Sequence, residues 1–376
     1  MTAKVRFFPL GNADTLLMDL EDGRKILVDY ANMRCADDAT DKRCDLPAEL
    51  RQDLSKARRK DYDAVCITHT DKDHCKGFGD FFWLEHAAMY QSDDRIQIKE
   101  LWVPAAAVIE ENLVDDARLV RAEARHRLIK GEGVRIFSRP EVLKQWLSDR
   151  GLDFESRKHL IVNAGQTVPG FSVDGPEQAE FFVHCPFGWH VDDEPVLDRN
   201  QASIVMQATF REGGQDFYML LGSDVDYAAL SEIVYMTRKH GNDHRLLWDI
   251  LKLPHHCSYL ALGPDRGVEE TVPVPNVKWL IETQGRAGAV VVSPSLPIPS
   301  KGTVDDQSTQ PPHRQAANYH RRASSNRGGD FEVTMEHPNK TKPESFAYKI
   351  TALGVAPDIA APMVSVSAAA ATPRAG

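Results

Sequence analysis

The stretch Thr68-His69-Thr70-Asp71-Lys72-Asp73-His74 carries two imidazoles and two carboxylates within six positions. That mixture is a ligand set for Zn2+ or Mn2+ and needs no cysteine. It stands directly after the apolar run Ala64-Val65-Cys66-Ile67. A loop at a strand end can turn neighbouring side chains toward one point, whereas a continuing strand sends them to alternate faces. A polar surface loop would account for a single histidine here, but not for four potential ligands packed this closely. Two later segments repeat the pattern. Phe217–Leu221 runs apolar into Gly222-Ser223-Asp224, and Leu251–Pro254 runs into His255-His256-Cys257-Ser258. Strand ends gathered along one sheet edge can assemble a metal centre from distant sequence. The expected ligands are therefore His69, Asp71, Asp73, His74, Asp224 and the His255–His256 pair. Asp14 and Asp29 read as structural acids tying turns and strand ends, and Cys257 as small buried filler.

The elements needed to position these residues can be read from apolar runs and turn signals. Val5–Phe8, Thr15–Leu20 and Lys25–Tyr30 read as strands, with a hairpin turn at Glu21-Asp22-Gly23. Pro47–Lys60 has helical spacing, with Pro47 suited to a first helical turn. Further strands are expected at Asp63–Thr68, Leu101–Val103, Leu160–Val162, Glu180–His184, Ser203–Phe210, Phe217–Leu221, Ile250–Leu253 and Ala289–Ser293. Phe331–Met335 and Phe346–Thr351 are expected to close the sheet. Helices are expected from Gly77 through Leu84, over Ala105–Lys130, and over Tyr227–His240. Pro294–Pro312 is rich in Pro, Ser and Thr and reads as a long loop of the kind that often serves function. Hairpins mixed with βα steps argue for a layered α/β sandwich rather than a purely parallel sheet.

Composition narrows the function classes. The chain has 376 residues, 42% hydrophobic and 27% charged, enough for a real core. No apolar stretch approaches the ~18–20 residues of a membrane span, so no membrane partner is expected. The N-terminus leads straight into a strand without a charged-then-apolar leader, which makes a cytoplasmic location the expectation. Six cysteines without a CxxC pair indicate neither a disulfide framework nor a zinc knuckle. A net charge of −10 gives no encouragement to nucleic-acid binding at the level of the whole chain. Three basic clusters stand out locally: Arg51 to Lys60, Arg118 to Lys130, and Arg314, Arg321, Arg322 and Arg327. Each reads first as a solvated face. The organisation expected is one domain over 1–354 followed by a disordered Ala/Pro-rich tail over 355–376. Oligomeric state is open.

His-Thr-Asp-Lys-Asp-His resembles the His-x-His-x-Asp-His signature of the metallo-β-lactamase superfamily, with aspartate at the second histidine. The order of motifs is similar to that of the metallo-β-lactamase domain of ComEC-type DNA-uptake proteins. Gly11–Asp14, Asp29, His69–His74, Asn200–Ser203, Ser223-Asp224 and His255–Ser258 match in sequence, and His313 matches a downstream histidine. The likeness runs from about Val5 to Thr351. It implies an αββα sandwich and a metal-dependent hydrolase acting on a phosphodiester, in nucleic acid or a nucleotide. Hydrolysis of a thioester, lactone or lactam is the alternative, as is a binding or scaffold protein that has lost catalysis. It further implies that His69 and Asp71 hold a first ion and Asp73 and His74 a second. Asp224 would bridge the two, and His255 or His256 would complete the second. Asp73 and His313 would be catalytic, and Asn200, Ser258 and Arg314 would bind substrate. Two metals ~3.5–4 Å apart can clamp the attacking and leaving oxygens of a displacement. The middle-strand histidine usual for a first ion is missing near Asn200, where His184 and His190 are possible substitutes. Cys257 and Ser223 stand where the ComEC-type pattern has glycine.

Overall fold

A computed structural model describes residues 2–192 and 198–358. Fifteen strands follow in chain order: β1 (Lys4–Phe7), β2 (Leu16–Asp19), β3 (Lys25–Val28), β4 (Asp61–Cys66), β5 (Gln97–Pro104), β6 (Val134–Phe137), β7 (Ile161–Val162), β8 (Ala179–Cys185), β9 (Val205–Glu212), β10 (Gln215–Leu221), β11 (Trp248–Lys252), β12 (Gly285–Ser293), β13 (Phe331–Val333), β14 (Phe346–Thr351) and β15 (Gly354–Pro357). Nine form one sheet in the order β15-β14-β1-β2-β3-β4-β5-β6-β7, and six form a second in the order β13-β12-β11-β10-β9-β8. In the first, β3 to β7 run parallel while β14, β1 and β2 alternate. In the second, β10 to β13 run parallel.

The strands are buried on both faces, so period-two side chains enter two different cores. Leu16, Met18, Ile26, Val28, Ala64 and Cys66 face Met206, Met219, Leu221, Ile250, Val290 and Val292 of the other sheet in a central layer. Their neighbours Leu17, Leu27 and Val65 turn outward, onto a core shared with the helices Leu46–Lys56 and Asp115–Lys130. On the far side Leu220, Leu251 and Val291 meet the helices Tyr227–Lys239, Pro275–Glu282 and Arg314–Ser325. Helices, sheet, sheet, helices: the layering is the αββα sandwich expected from the sequence. No helix among the described residues is long and apolar enough to cross a membrane.

Several expectations need correction. The single helix over Ala105–Lys130 is two, Ala105–Ile109 and Asp115–Lys130. The break leaves Glu110 free to reach across the molecule, which matters below. The helix expected from Gly77 to Leu84 is one turn, Phe78–Phe81, because Phe82 turns to extended backbone and bridges Ile96. Strand β6 and the helices Glu141–Ser148 and Pro275–Glu282 were not anticipated. The boundary expected at 354/355 falls inside the sheet. Strand β15 pairs with β14 as far as Pro357, and Asp358 lies 2.7 Å from Lys4 Nζ and 2.6 Å from Lys349 Nζ. The rest of the expected tail, 359–376, lies outside the described residues.

A chain ending at Leu353 should therefore melt lower than one ending at Asp358, by roughly 3 °C or more, given about 2–4 °C per kcal/mol in large domains. Thermal denaturation of the two truncations compares them directly, and equal melting temperatures would show that β15 contributes nothing.

Candidate metal centre

Three strand ends meet at one edge of the sandwich. Strand β4 stops at Cys66, and the two sheets are joined just beyond it by Ile204 N donating to Thr68 O at 3.0 Å. The turn Lys72–Cys75 is then fastened by its carbonyls, Asp73 O accepting from Asp14 N and His74 O from Tyr30 N, both at 3.0 Å. After β10, Gly222 lets the next strand approach, since a Cβ there would lie 3.0 Å from Lys252 O and Pro254. Asp224 follows, and two residues later Asp226 caps the helix Tyr227–Lys239 by accepting from Ala228 N and Ala229 N. One short loop thus presents a ligand and starts a helix, a cap worth ~1 kcal/mol. After β11, His255 N donates to Ser223 O at 3.0 Å, tying the two ligand loops together.

This edge is strained. Asp29, Ser223, His255, His256 and Cys257 all have positive φ, between 46° and 64°. Non-glycine residues pay ~1–2 kcal/mol each for that conformation, and such strain collects at functional sites. At Ser223 and Cys257 the left-handed backbone is one that glycine would adopt without strain.

Asp73, His74, Asp224 and His256 form one nest, with a ligand atom from each lying within 4.8 Å of the others. His74 Nε2 is 3.2 Å from Asp224 Oδ1, and His256 Nε2 is 3.2 Å from Asp73 Oδ2 and 3.5 Å from Asp224 Oδ2. Both imidazoles are aimed from behind. His74 Nδ1 is 2.8 Å from Asp29 Oδ2, and His256 Nδ1 is 2.8 Å from the Pro294 carbonyl. A proton on each Nδ1 satisfies these acceptors and leaves Nε2 to the nest, the usual way an outer acceptor orients a metal-ligating histidine. Asp29 also accepts from Thr68 N at 2.7 Å and from its hydroxyl at 2.8 Å. It is thus an orienting acid rather than only a strand tie.

The donor set fits a divalent cation. Buried His69 Nε2 has no hydrogen-bond partner, and buried His74 Nε2 and Asp224 Oδ1 have only their ion-pair approach to each other, an arrangement that is costly unless something binds them. Burial opposes charge on His256, yet Asp224 and Asp73 outweigh it and lift its pKa to about 10. Burial likewise opposes charge on His74, which Asp224 and Asp29 raise well above the usual histidine range. Burial would raise Asp73, but His256 and His74 hold it at about 2. Acids and imidazoles are therefore balanced by protons exactly where a metal would replace them. Behind the nest, Lys252 Nζ lies 2.5 Å from Asp14 Oδ2, both side chains buried. Burial disfavours the ammonium, and Asp14 with Asp29 more than restores it, keeping Lys252 charged.

The other expected residues are placed as follows. His69 stacks on His74 with ring centroids 3.9 Å apart, and burial holds its pKa at about 4, so it is a neutral imidazole. Asp71 is 3.9 Å from His69 but pairs at 2.7 Å with Arg199. His255 stands outside the nest. His184 bonds the Arg245 carbonyl and Thr237, and His190 the Gln201 carbonyl and Glu232, so neither replaces the missing middle-strand ligand. Burial pushes the Cys257 thiol up to about 12, which suits filler and not a thiolate. Asn200 is half-buried, and its carbonyl accepts from Ser203. Ser258 is buried and caps a turn by accepting from Leu260 N at 3.2 Å. Arg314 is turned inward onto Asp306, Glu269 and the Val268 carbonyl. His313 is buried, and its Nδ1 accepts from Tyr259 N at 3.3 Å while Nε2 is unpartnered. Burial, with Arg266 nearby, lowers its pKa to about 4. Lys252, Arg199 and Glu110 were not anticipated as parts of this edge.

No family model and no curated protein matches the chain. Among solved structures it is similar to MEM-A1, a subclass B3 metallo-β-lactamase isolated from a soil metagenome library. That alignment has 11% identity and a TM-score of 0.31, covering 67% of this chain and 76% of that one. A diphosphatase from the PhnP family aligns at 13% identity and TM-score 0.31, covering 84% and 96%. The metallo-β-lactamase GOB-18 from Elizabethkingia meningoseptica aligns at 12% and 0.27, covering 64% and 70%. At such distance no residue role passes from these proteins to this one, and the centre stands on its own side chains.

Asp73→Ala and His256→Ala should each lose the bound ion in elemental analysis, whereas His255→Ala should keep it. Lys252→Met leaves buried Asp14 uncompensated and should cost about 3–5 kcal/mol in denaturant unfolding. His74→Ala should also destabilise, because it strips buried Asp29 of a partner, while Asp73→Ala should leave the fold intact.

Proposed function

We propose that this chain is a metal-dependent hydrolase that cleaves a phosphodiester in a nucleotide or nucleic acid. The observation that carries the hydrolase reading is the nest of Asp73, His74, Asp224 and His256 where strand ends of both sheets meet, with Asp73 partly exposed. Zn2+ and Mn2+ both suit two carboxylates with two imidazoles. When bound, such an ion supplies Lewis acidity and brings a coordinated water toward a pKa of ~7.

The chain's own residues divide the remaining work. Asp73 is the nest's solvent-facing member, its side chain 31% exposed, whereas Asp224, His74 and His256 are buried. It is a carboxylate throughout the neutral range and is placed to take a proton from a water approaching from solvent. Asp29 and the Pro294 carbonyl hold the two imidazoles in register, so the donors need no rearrangement. Neutral His69 borders the same space.

The phosphodiester follows from the resemblance to ComEC-type domains. Of the two substrate sizes, a nucleotide is favoured over a long polyanion because the third basic cluster is spent on intramolecular contacts. Arg314 pairs with Asp306, Arg322 with Glu270, and Arg321 lies over the Phe331 ring. His313, neutral and inward-facing, belongs to the packing of this loop rather than to charge recognition.

The test is a panel of bis-p-nitrophenyl phosphate, cyclic nucleotides, and single- and double-stranded nucleic acid, with Zn2+ and Mn2+ supplied separately. Phosphodiester turnover is expected, falling at least about 100-fold in Asp73→Ala. Arg322→Glu is expected to change it less than about 2-fold. Metal-loaded protein that cleaves no phosphodiester, yet opens a lactone, thioester or lactam, would move the assignment to that class.

A further inference from the structure

A second ion would need donors beyond the nest, and the chain offers His69 and Asp71, whose closest ligand atoms are 3.9 Å apart. Among the described residues no third His, Cys, Asp or Glu joins them in a group of mutually close donors. An arginine comes instead. Arg199 Nη1 donates to Asp71 Oδ1 at 2.7 Å. Glu110 grips the same guanidinium from the other side, with Arg199 Nε 2.9 Å from Oε2 and Nη2 2.5 Å from Oε1. The clamp joins two distant features: the break after the helix Ala105–Ile109 supplies Glu110, and the segment leading into β9 supplies Arg199.

We propose that Arg199, latched by Glu110, stands in place of a first ion and makes this a one-ion centre. The proposal rests on the reading of Asp73, His74, Asp224 and His256 as a metal nest, and it assigns Asp71 to Arg199 rather than to a metal. A guanidinium keeps its charge throughout the accessible pH range, so it neutralises Asp71 permanently and repels any cation beside it. It cannot ligate through a lone pair, since all its nitrogens are donors. Glu110 makes the occupation durable. Arg199 is half-exposed and long, and a single contact to a half-exposed aspartate would hold it weakly, but a forked contact to a second carboxylate fixes its plane. Position explains the choice as well. Arg199 directly precedes Asn200, where the middle-strand histidine of a two-ion centre is missing from the sequence.

Zinc titration of the full chain, read by native mass spectrometry and by elemental analysis after gel filtration, tests this without any turnover. Wild type is expected to saturate at one zinc per chain. Arg199→Ala and Arg199→Gln should each admit a second, through His69, Asp71 and the shared Asp224, at least about 10-fold weaker than the first. Glu110→Gln should admit a second zinc as well, but more weakly than the Arg199 variants do. Asp73→Ala should weaken the first at least about 100-fold. Two zinc ions of similar affinity in wild type, or a single zinc in both Arg199 variants with circular dichroism unchanged, would overturn the proposal while leaving the metal nest standing. No zinc in wild type would refute the nest and the one-ion centre together.

Discussion

Four carboxylates, Asp14, Asp29, Asp73 and Asp224, converge on one edge of the sandwich, three of them fully buried. Buried charge is tolerated only when it is paired and hydrogen-bonded, and the architecture here is organised around that requirement. Lys252 answers Asp14 from the central layer. Thr68 and His74 answer Asp29. His74 and His256 answer Asp224. What remains is a small cluster in which imidazole nitrogens and carboxylate oxygens face one another with too few hydrogen bonds. That is an unfavourable way to build a core and a favourable way to hold a cation. The left-handed backbone at Asp29, Ser223 and His255–Cys257 is tolerated for the same reason, because relaxing it would move a charge away from its partner.

Much of this was legible in the sequence. Apolar runs that stop at ligand-type residues are a strand-end signal, and all three runs became strands meeting at one edge. The sandwich was legible because strands buried on both faces leave continuous apolar runs, while hairpins and βα steps alternate around them. What sequence hid was direction. Lys252 sits in the run Leu251-Lys252-Leu253, where a lysine reads as an amphipathic residue at a strand edge. Only the pairing of β11 with β10 and β12 turns it toward the central layer, on the same face as Ile250. Arg199 and Glu110 were hidden differently. Neither is a metal ligand, so a search for ligand types passes over both. Their meeting also depends on a helix break that the helical composition of Ala105–Lys130 does not announce. The short strand β6 and the helix Pro275–Glu282 lack the length that makes a period readable.

The sequence left open which of two adjacent histidines serves the nest, and backbone geometry supplies the reason for the answer. His255 and His256 share nearly the same left-handed φ and ψ, so their side chains leave the chain in different directions and cannot converge on one point. Their rings stand 6.3 Å apart and 77° from parallel. The one with a fixed acceptor behind it is the one that can be aimed. His256 has the Pro294 carbonyl at 2.8 Å, provided by the first residue of the long loop after β12, whereas buried His255 Nδ1 has no partner. The loop that looked functional in the sequence thus does contribute to the site, but from its opposite end. Pro294 orients a ligand at the start of the loop, while His313 and Arg314 at its close are drawn into packing and ion pairs. The candidate metal centre is therefore shaped less by the ligand types themselves than by the groups behind them: Asp29 for His74, a carbonyl for His256, and Arg199 for Asp71.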